Sequence, residues 1–206
     1  FQVKTEGWSY PADAVILTAG SKAAPETGSD GSGYQFAKEL GHRMVKPLPA
    51  LVQLRCREKF YEKLAGVRMD AKVDIFVGEE LLASDQGEVQ FTRNGISGIP
   101  VFQLSAAVSE ALQTNKKISA SIDFFPAVPL SKWNEFCCRQ YQACCGKHVR
   151  FLAQGILPSK LAQLFIERSP LKAQDIVTAA NKNAVFSMLQ NMRTLKTVVI
   201  GTNPAQ

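Results

Sequence analysis

The stretch of sequence that decides the fold is residues 12–54, ADAVILTAGSKAAPETGSDGSGYQFAKELGHRMVKPLPALVQL. It opens with a continuous apolar run at residues 14–17, which is typical of a strand buried on both faces in a parallel sheet. The run ends in four small residues, Thr18, Ala19, Gly20 and Ser21. Ligands of open α/β sheets lie beyond the carboxyl ends of the strands, and small residues there let the backbone approach a flat cofactor closely. Residues 18–21 are therefore either a ligand-contacting loop or an ordinary strand-to-loop turn.

A glycine-rich loop follows at residues 27–34, TGSDGSGY, and leads into a helix predicted at residues 33–40. Glycines allow left-handed turns, and the free N–H groups at the start of a helix favour an anion. The glycine order is G-x-x-G-x-G, which differs from the dinucleotide fingerprint G-x-G-x-x-G. From the residues alone, this loop is either a plain linker or part of a ligand site.

Beyond residue 50 the pattern changes, because Pro47 and Pro49 interrupt regular structure. Residues 51–128 are predicted to form a small barrel or a strongly bent sheet, with a hairpin turn at residues 78–79 and a helix that Ser97 caps. The strands of this region are predicted at residues 51–56, 68–77, 80–83, 88–92 and 117–123.

Residues 129–194 are predicted to form a helical subdomain. Its helices are predicted at residues 131–145, from residue 159 onward, and at residues 171–189, the last of which carries an apolar stripe. A strand follows at residues 195–200 and ends at Gly201. Further strands are predicted at residues 1–4 and 14–18, so residues 1–50 and 195–206 are interpreted as two flanks of one sheet domain. The predicted fold class is α+β.

Composition narrows the function classes. The chain has 206 residues, of which 46% are hydrophobic and 20% charged, and these values are ordinary for a globular protein with a sizeable core. No apolar run approaches the roughly 20 residues that cross a bilayer, so no membrane association is predicted. The net charge of +6 permits an anionic partner. Aromatic residues are not interleaved with lysine and arginine, so nucleic acid binding is not predicted.

Four of the five cysteines lie in one segment, CCRQYQACC, at residues 137–145. Cys137 and Cys144 are about 10 Å apart along a helix, too far for one tetrahedral metal ion. We interpret the cysteines as small buried hydrophobes with one or two exposed thiols, in a reducing cytoplasm. No metal site is predicted.

Groups that perform acid–base or nucleophilic chemistry are not evident. His42 and His148 are the two histidines, and neither has a cysteine or carboxylate at a catalytic or metal-ligand spacing. The sequence contains neither a G-x-S-x-G elbow nor a P-loop. We therefore assign no catalytic residue.

Several blocks at fixed spacing resemble the FAD flavoproteins of the aminoacetone oxidase type, also called the BaiN/YhiN-like family. One block is residues 12–54, in which ADAVILTAG, LGH and PLPALV follow the family's order, although the family usually has Ala-Thr-Gly-Gly at the position of residues 18–21. A second block is residues 87–105, GEVQFTRNGISGIPVFQLS. The segment TVVIGT at residues 197–202 is similar to the strand after which the family's FAD-binding domain resumes.

This resemblance implies an FAD-dependent oxidoreductase in which a Rossmann-type domain is interrupted by a β-barrel and a helical subdomain. It implies a small-molecule substrate, with NAD(P)H as a candidate electron donor. Residues 1–50 and 195–206 are then the remnant of the FAD-binding domain, residues 51–128 the barrel insertion and residues 129–194 the helical subdomain. The residues that it implies near the flavin or its substrate are Thr18, Ala19, Gly20, Ser21, Gly28, Ser29 and Gly31.

The family's G-x-G-x-x-G, which holds the FAD pyrophosphate, is not among these 206 residues. We therefore expect an internal fragment that alone binds FAD weakly or not at all and is inactive. The alternative that the residues leave open is a non-catalytic binding module that docks a protein or an anionic partner.

Overall fold

The computed structural model describes residues 1–114 and 116–203, which fall into two compact units, Phe1–Pro47 and Leu48–Gln206. We call the first the N-terminal unit and the second the barrel unit. The α+β prediction of a small barrel with helices is confirmed, because the barrel unit contains a closed six-stranded barrel and several helices.

The N-terminal unit contains one hairpin and one short helix. Strands β1 (Gln2–Thr5) and β2 (Trp8–Pro11) pair antiparallel. A 3-10 turn at Pro25–Thr27 precedes helix α1 (Ser32–Glu39).

The predicted strand at residues 14–18 does not form. The segment pairs with no strand in the described part of the chain, and Ile16 is 87% exposed. An apolar run becomes a strand only where neighbouring strands satisfy its backbone N–H and C=O groups, so sequence pattern alone misled the prediction here.

The barrel has the strand order β3-β6-β5-β4-β7-β8, and every neighbouring pair is antiparallel. Its strands are β3 (Gln53–Cys56), β4 (Arg68–Val77), β5 (Glu80–Thr92), β6 (Gly95–Ser97), β7 (Ile118–Asp123) and β8 (Thr194–Asn203). The short helix α2 (Tyr61–Leu64) and helix α3 (Ile99–Ala111) pack against it. Closure leaves the sheet without free edges, which removes the usual route to strand-mediated aggregation.

Alternation along the strands directs the core inward. In β7 the side chains of Ile118, Ala120 and Ile122 are buried, while Ser119 and Ser121 lie half-buried on the outer face. The strand β4 pairs with it so that Val73 lies opposite Ile122. This period of two is what the sequence KISASID predicted.

Two glycines, one at the start of β6 and one directly after its end, allow close backbone contacts. A Cβ on Gly95 would lie 2.1 Å from the Leu54 carbonyl oxygen, and one on Gly98 would lie 2.2 Å from the Glu88 oxygen. Because the backbones approach this closely, the segment GISG is architectural. The predicted Ser97 cap is wrong, since Ser97 is the buried last residue of β6 and Gly98 precedes the helix.

Four helices follow the barrel's fifth strand in sequence: α4 (Leu130–Cys144), α5 (Val149–Gln154), α6 (Ser159–Glu167) and α7 (Lys182–Asn191). Helix α4 begins after Pro129, so the predicted Ser131 cap is wrong as well; proline fixes the backbone at the helix start without a side-chain cap. The amphipathic pattern of SKLAQLFIE correctly located α6.

The long helix predicted at residues 171–189 is limited to Lys182–Asn191. Upstream of it, residues 171–181 are irregular and contain turns. The Gly146 and Val149 N–H groups donate to the Val177 and Asp175 carbonyl oxygens. The Asn181 side chain accepts from the Thr178 N–H and donates to the Ile176 carbonyl oxygen, which fixes the turn before α7. Side chains that bond their own backbone compete with helix formation, and periodicity does not reveal this competition.

The sequence analysis assigned the strand at residues 195–200 to the remnant of the FAD-binding domain. In the structure this strand is β8, which closes the barrel. It pairs with β7 on one side and β3 on the other, and Leu195, Thr197 and Val199 are buried inward. The last residues of that predicted remnant, 204–206, lie outside the described residues. The opening hairpin and β8 therefore belong to different sheets.

Both chain crossings between the barrel and its helices lie side by side. Asp123, the last residue of β7, pairs directly with Thr194, the first residue of β8. The Arg193 guanidinium binds Asp123 Oδ2 through Nε at 3.2 Å and Nη2 at 2.9 Å. Only 8% of the Arg193 side chain is exposed, so this is a partly desolvated ion pair.

Candidate functional site

The structure brings the two predicted ligand loops into contact. Gly20 has a φ of +76°, and a Cβ built on it would lie 2.7 Å from Ser29 Cβ. A Cβ on Gly33, at the start of α1, would lie 3.3 Å from Ala19 Cβ. The small residues at 18–21 and the glycines at 28–33 therefore pack against each other, and we call residues 18–33 the glycine loop.

Hydrogen bonds inside the glycine loop use its hydroxyl groups. Ser29 Oγ donates to the Ala24 carbonyl oxygen at 3.0 Å and lies 3.0 Å from Thr27 Oγ1. Ser21 Oγ accepts from the Ala23 N–H at 3.2 Å. These two hydroxyls hold the shape of the loop. The predicted site residues that the structure leaves exposed are Thr18, Ala19, Gly20 and Gly28.

An acidic side chain from just before α1 already binds the first N–H group of this helix. Asp30 Oδ1 accepts from the Ser32 N–H at 2.8 Å, and this hydrogen bond lowers the pKa of the Asp30 carboxyl. A second anion at the same N–H groups would compete with the carboxylate and be repelled by it. The Ser32 N–H group is therefore already used within the loop.

Gly31 is the buried member of the predicted set. Its φ is +84°, and a Cβ built there would lie 2.6 Å from Lys22 Cγ. The Lys22 stem thus covers Gly31, which places this glycine in the packing of the loop and away from its open surface.

The sequence prediction missed Asp30 and Lys22. The signal for Asp30 was present, because an aspartate two residues before a helical N–H is a typical capping arrangement. No local pattern indicated that Lys22 folds over Gly31. Apart from Lys22, Glu26 and Asp30, the loop offers mainly backbone groups and small side chains.

The structure also gives the surroundings of the cysteines and histidines. Cys137 is buried, and desolvation raises the pKa of its thiol to about 11. Cys138 and Cys145 are exposed, and all five cysteines are free. Within residues 1–114 and 116–203, no group of three or more metal-ligating side chains comes together. His148 Nδ1 lies 2.6 Å from the Gln174 carbonyl oxygen, and His42 is exposed.

A further polar cluster lies at the base of the barrel. Glu58 Oε1 accepts from the Val198 N–H at 3.0 Å, and Glu58 Oε2 accepts from the Thr197 hydroxyl. Burial raises the pKa of the neighbouring Tyr61 phenol and of the Cys56 thiol. Glu58 thus replaces ladder hydrogen bonds where the β3–β8 register shifts, which is a structural role.

Comparison with known proteins identifies the family. Residues 48–206 match the family described as HI0933-like protein barrel and H2TH domain, and this range coincides with the barrel unit. The chain belongs to this family, which is the BaiN/YhiN-type FAD flavoprotein family. The resemblance seen in the sequence is therefore confirmed.

A curated member of the HI0933-like family is similar over nearly the whole chain. It is the 3-dehydro-bile acid delta(4,6)-reductase of Clostridium scindens, which is 36% identical over 200 residues. That match covers 95% of this chain and 49% of the reductase, so the chain spans about half the length of the curated relative that it matches. Membership relates the chain to FAD-dependent oxidoreductases. In the described residues, no helix is both long enough and apolar enough to cross a bilayer.

Proposed function

We propose that this chain is the central part of a cytoplasmic FAD-dependent oxidoreductase that reduces a small organic substrate. In this proposal the glycine loop lies against the flavin, and the barrel unit forms the substrate side. NAD(P)H is the proposed electron donor, and the flavin supplies the hydride chemistry when it is bound.

The observation that carries the proposal is the close packing of residues 18–20 on residues 29–33. Because the glycines adopt left-handed conformations and the neighbouring side chains are small, few side-chain atoms project from the loop. A flat ring can therefore approach its backbone. The residues that would face the cofactor are Thr18, Ala19 and Gly20, with Gly28 at the edge. Ser21, Ser29 and Gly31 would support them from within the loop.

The similarity to a reductase supports the reaction class. The relative's name specifies a bile acid, and a substrate of steroid type is one candidate for this chain as well. We propose that the part of the barrel unit is to bind and orient the substrate.

The phosphate-binding part of the site is not supplied by the glycine loop. Asp30 occupies the first N–H group of α1, and the sequence contains no G-x-G-x-x-G. We therefore propose that the 206-residue chain alone binds FAD weakly, and that tight binding needs further residues of the same flavoprotein.

The test is a comparison of flavin content. The 206-residue chain and the same chain extended by the flanking sequence of its gene are purified, and bound FAD is measured by visible absorbance. We expect about one FAD per extended chain, bleached by NADH or NADPH without oxygen, and little in the shorter chain. An extended chain without flavin would refute the proposal, and stoichiometric flavin in the shorter chain would refute its last part.

A matched pair of variants tests the glycine loop itself. Gly20→Ala introduces a Cβ that collides with Ser29, whereas Gly28→Ala has a similar φ but meets nothing within 4 Å. In the extended chain, Gly20→Ala should lose flavin much more than Gly28→Ala does. If Gly20→Ala retained as much flavin as the unaltered extended chain, the proposed contact between the loop and the cofactor would be contradicted.

A further inference from the structure

A cavity of about 450 Å³ lies in the barrel unit between the ends of α6 and α7 and the outer face of β8. Its size falls within the range of about 300–1,000 Å³ that small-molecule sites occupy. Phe165, Met188 and Pro170 provide its apolar lining. We call this cavity the junction pocket.

The ionised side chains that line the junction pocket are all positively charged. Its two ionised lining residues are Arg168 at the end of α6 and Lys196 on β8, and no carboxylate lines it among the described residues. The remaining polar lining is neutral: Ser169, Ser187, Gln190, Asn191 and Thr194. Both helices end here, and each helix C-terminus carries roughly half a negative charge. Two full cations exceed that sum, so the pocket favours an anion.

The Arg168 guanidinium is oriented by an aromatic ring and not by a carboxylate. Its Cζ lies 4.5 Å from the centre of the Phe60 ring, a cation–π contact. The turn that follows is fixed by Ser169, whose hydroxyl donates to the Ile166 carbonyl oxygen and accepts from the Leu171 N–H. An arginine that is oriented by a ring face, and not by a carboxylate, keeps its N–H fork available for an oxyanion.

A second cavity shows the contrast. A groove of about 530 Å³ on the outer face of β7 and β8 is also lined by Lys196, together with Lys117. Glu58 and Glu79 line it too, so its cations are balanced by carboxylates. The excess positive charge is thus a property of the junction pocket and not of the barrel surface in general.

We propose that the junction pocket binds the carboxylate or phosphate of a small organic molecule whose apolar part lies against Pro170 and Phe165. Arg168 and Lys196 hold the oxyanion, and the neutral side chains of α7 complete its hydrogen bonds. This site goes beyond the proposed flavin function and does not depend on it, because every residue that forms it lies within the barrel unit.

The experiment uses the full 206-residue chain and three probes with one ring system. 2-Naphthoate carries a carboxylate, 2-naphthyl phosphate a phosphate, and 2-naphthamide no charge. Each is titrated into labelled protein, and binding is followed by amide chemical shifts. We expect at least one anion to bind about 10-fold or more tightly than the amide, with shifts centred on residues 165–170 and 187–196. The anion that binds more tightly shows whether the natural ligand carries a carboxylate or a phosphate.

Variants separate the site from non-specific attraction. Arg168→Gln and Lys196→Gln should each weaken anion binding about 5-fold or more and leave 2-naphthamide unchanged. Lys132→Gln is the matched control, since it removes the same charge from an exposed residue of α4 that pairs with Glu135. Equal binding of anions and amide, shifts centred elsewhere, or equal losses in the control would overturn the proposal.

Discussion

The N-terminal unit and the barrel unit use the same apolar residue types with opposite results. Among the described residues, every buried apolar side chain of the core lies at Val52 or beyond. In residues 1–47 every valine, isoleucine, leucine, phenylalanine and methionine side chain is exposed, and Ile16 is 87% accessible whereas Ile75 in β4 is 0%. Both isoleucines lie in runs that predict strands, so the difference comes from pairing. An apolar run is buried only where other strands and helices supply the second surface.

The two units should therefore differ in local stability. Protection of backbone amides follows from buried contacts and paired hydrogen bonds, which β4, β5 and β7 have and residues 12–24 lack.

The largest expected effect comes from shortening the same residue in each unit. Ile75→Ala should lower the free energy of unfolding by about 2–5 kcal/mol, because it leaves a cavity inside the barrel. Ile16→Ala should change it by less than about 0.5 kcal/mol, since little area is removed from contact. Urea unfolding followed by circular dichroism measures both. A small loss for Ile75→Ala would mean that the barrel interior is loosely packed.

The next effect tests whether the barrel and its helices unfold together. Asp123→Asn breaks the ion pair with Arg193 and should cost about 3 kcal/mol, the lower end of the range of roughly 3–5 kcal/mol for breaking a buried pair, because 21% of the Asp123 side chain is exposed. Glu167→Gln is the control, since its pair with Lys63 is exposed at 40% and 68% and should be worth less than about 1 kcal/mol.

Thermal unfolding followed with one spectroscopic probe for strands and one for helices shows whether the two parts unfold together. If the probes for strands and helices separate in Asp123→Asn, the ion pair is what couples the two parts. Equal costs for Asp123→Asn and Glu167→Gln would contradict the buried character of the Arg193 pair.

A smaller effect is expected in the glycine loop of the 206-residue chain. Gly20→Ala and Gly28→Ala both place alanine at positive φ, at about 1 kcal/mol each, and only Gly20→Ala adds the collision with Ser29. Cleavage by a protease should become several-fold faster within residues 18–33 in Gly20→Ala than in Gly28→Ala. Identical cleavage rates would show that the two ligand loops do not pack in solution.

The smallest expected effect is a loss of amide protection at the start of α1 at acidic pH. The pKa of Asp30 is lowered from its ordinary value of 3.8, so its carboxylate supports α1 above that value and loses this role as the pH falls through the lowered pKa. Amide exchange in residues 32–36 should speed up in acid beyond the intrinsic pH dependence. In Asp30→Ala exchange should already be fast at neutral pH, with no further acid effect. Asp13→Ala, an exposed aspartate of the same unit, should behave as the unaltered chain.

Local patterns in the sequence were sufficient where a strand or helix buries one face against a core. The prediction for β4 matches its bounds, and β7 and α6 were placed within a residue or two, because alternation and amphipathic spacing persist along them. They were insufficient for β8, since an apolar strand fits a Rossmann sheet and a barrel equally well and only its partners decide.

In the candidate site, too, local patterns in the sequence predicted some features and missed others. The small residues at 18–21 and the glycines at 28–33 predicted two loops that approach something closely, and the structure shows that they approach each other. The capping of α1 by Asp30 depends on one side-chain rotamer, and the junction pocket joins residues far apart in the chain, from α6, α7 and β8. Neither arrangement is written in a local pattern.

The direct pairing of Asp123 with Thr194 has a consequence for how this architecture can vary. In the barrel's own topology β7 and β8 are adjacent antiparallel strands, so everything between them is one oversized hairpin connection. Loop length costs little free energy, about 0.6 kcal/mol for each doubling. The entropy of closing this connection therefore places little limit on its length, whereas the core that the helices share with the barrel limits which side chains can face it.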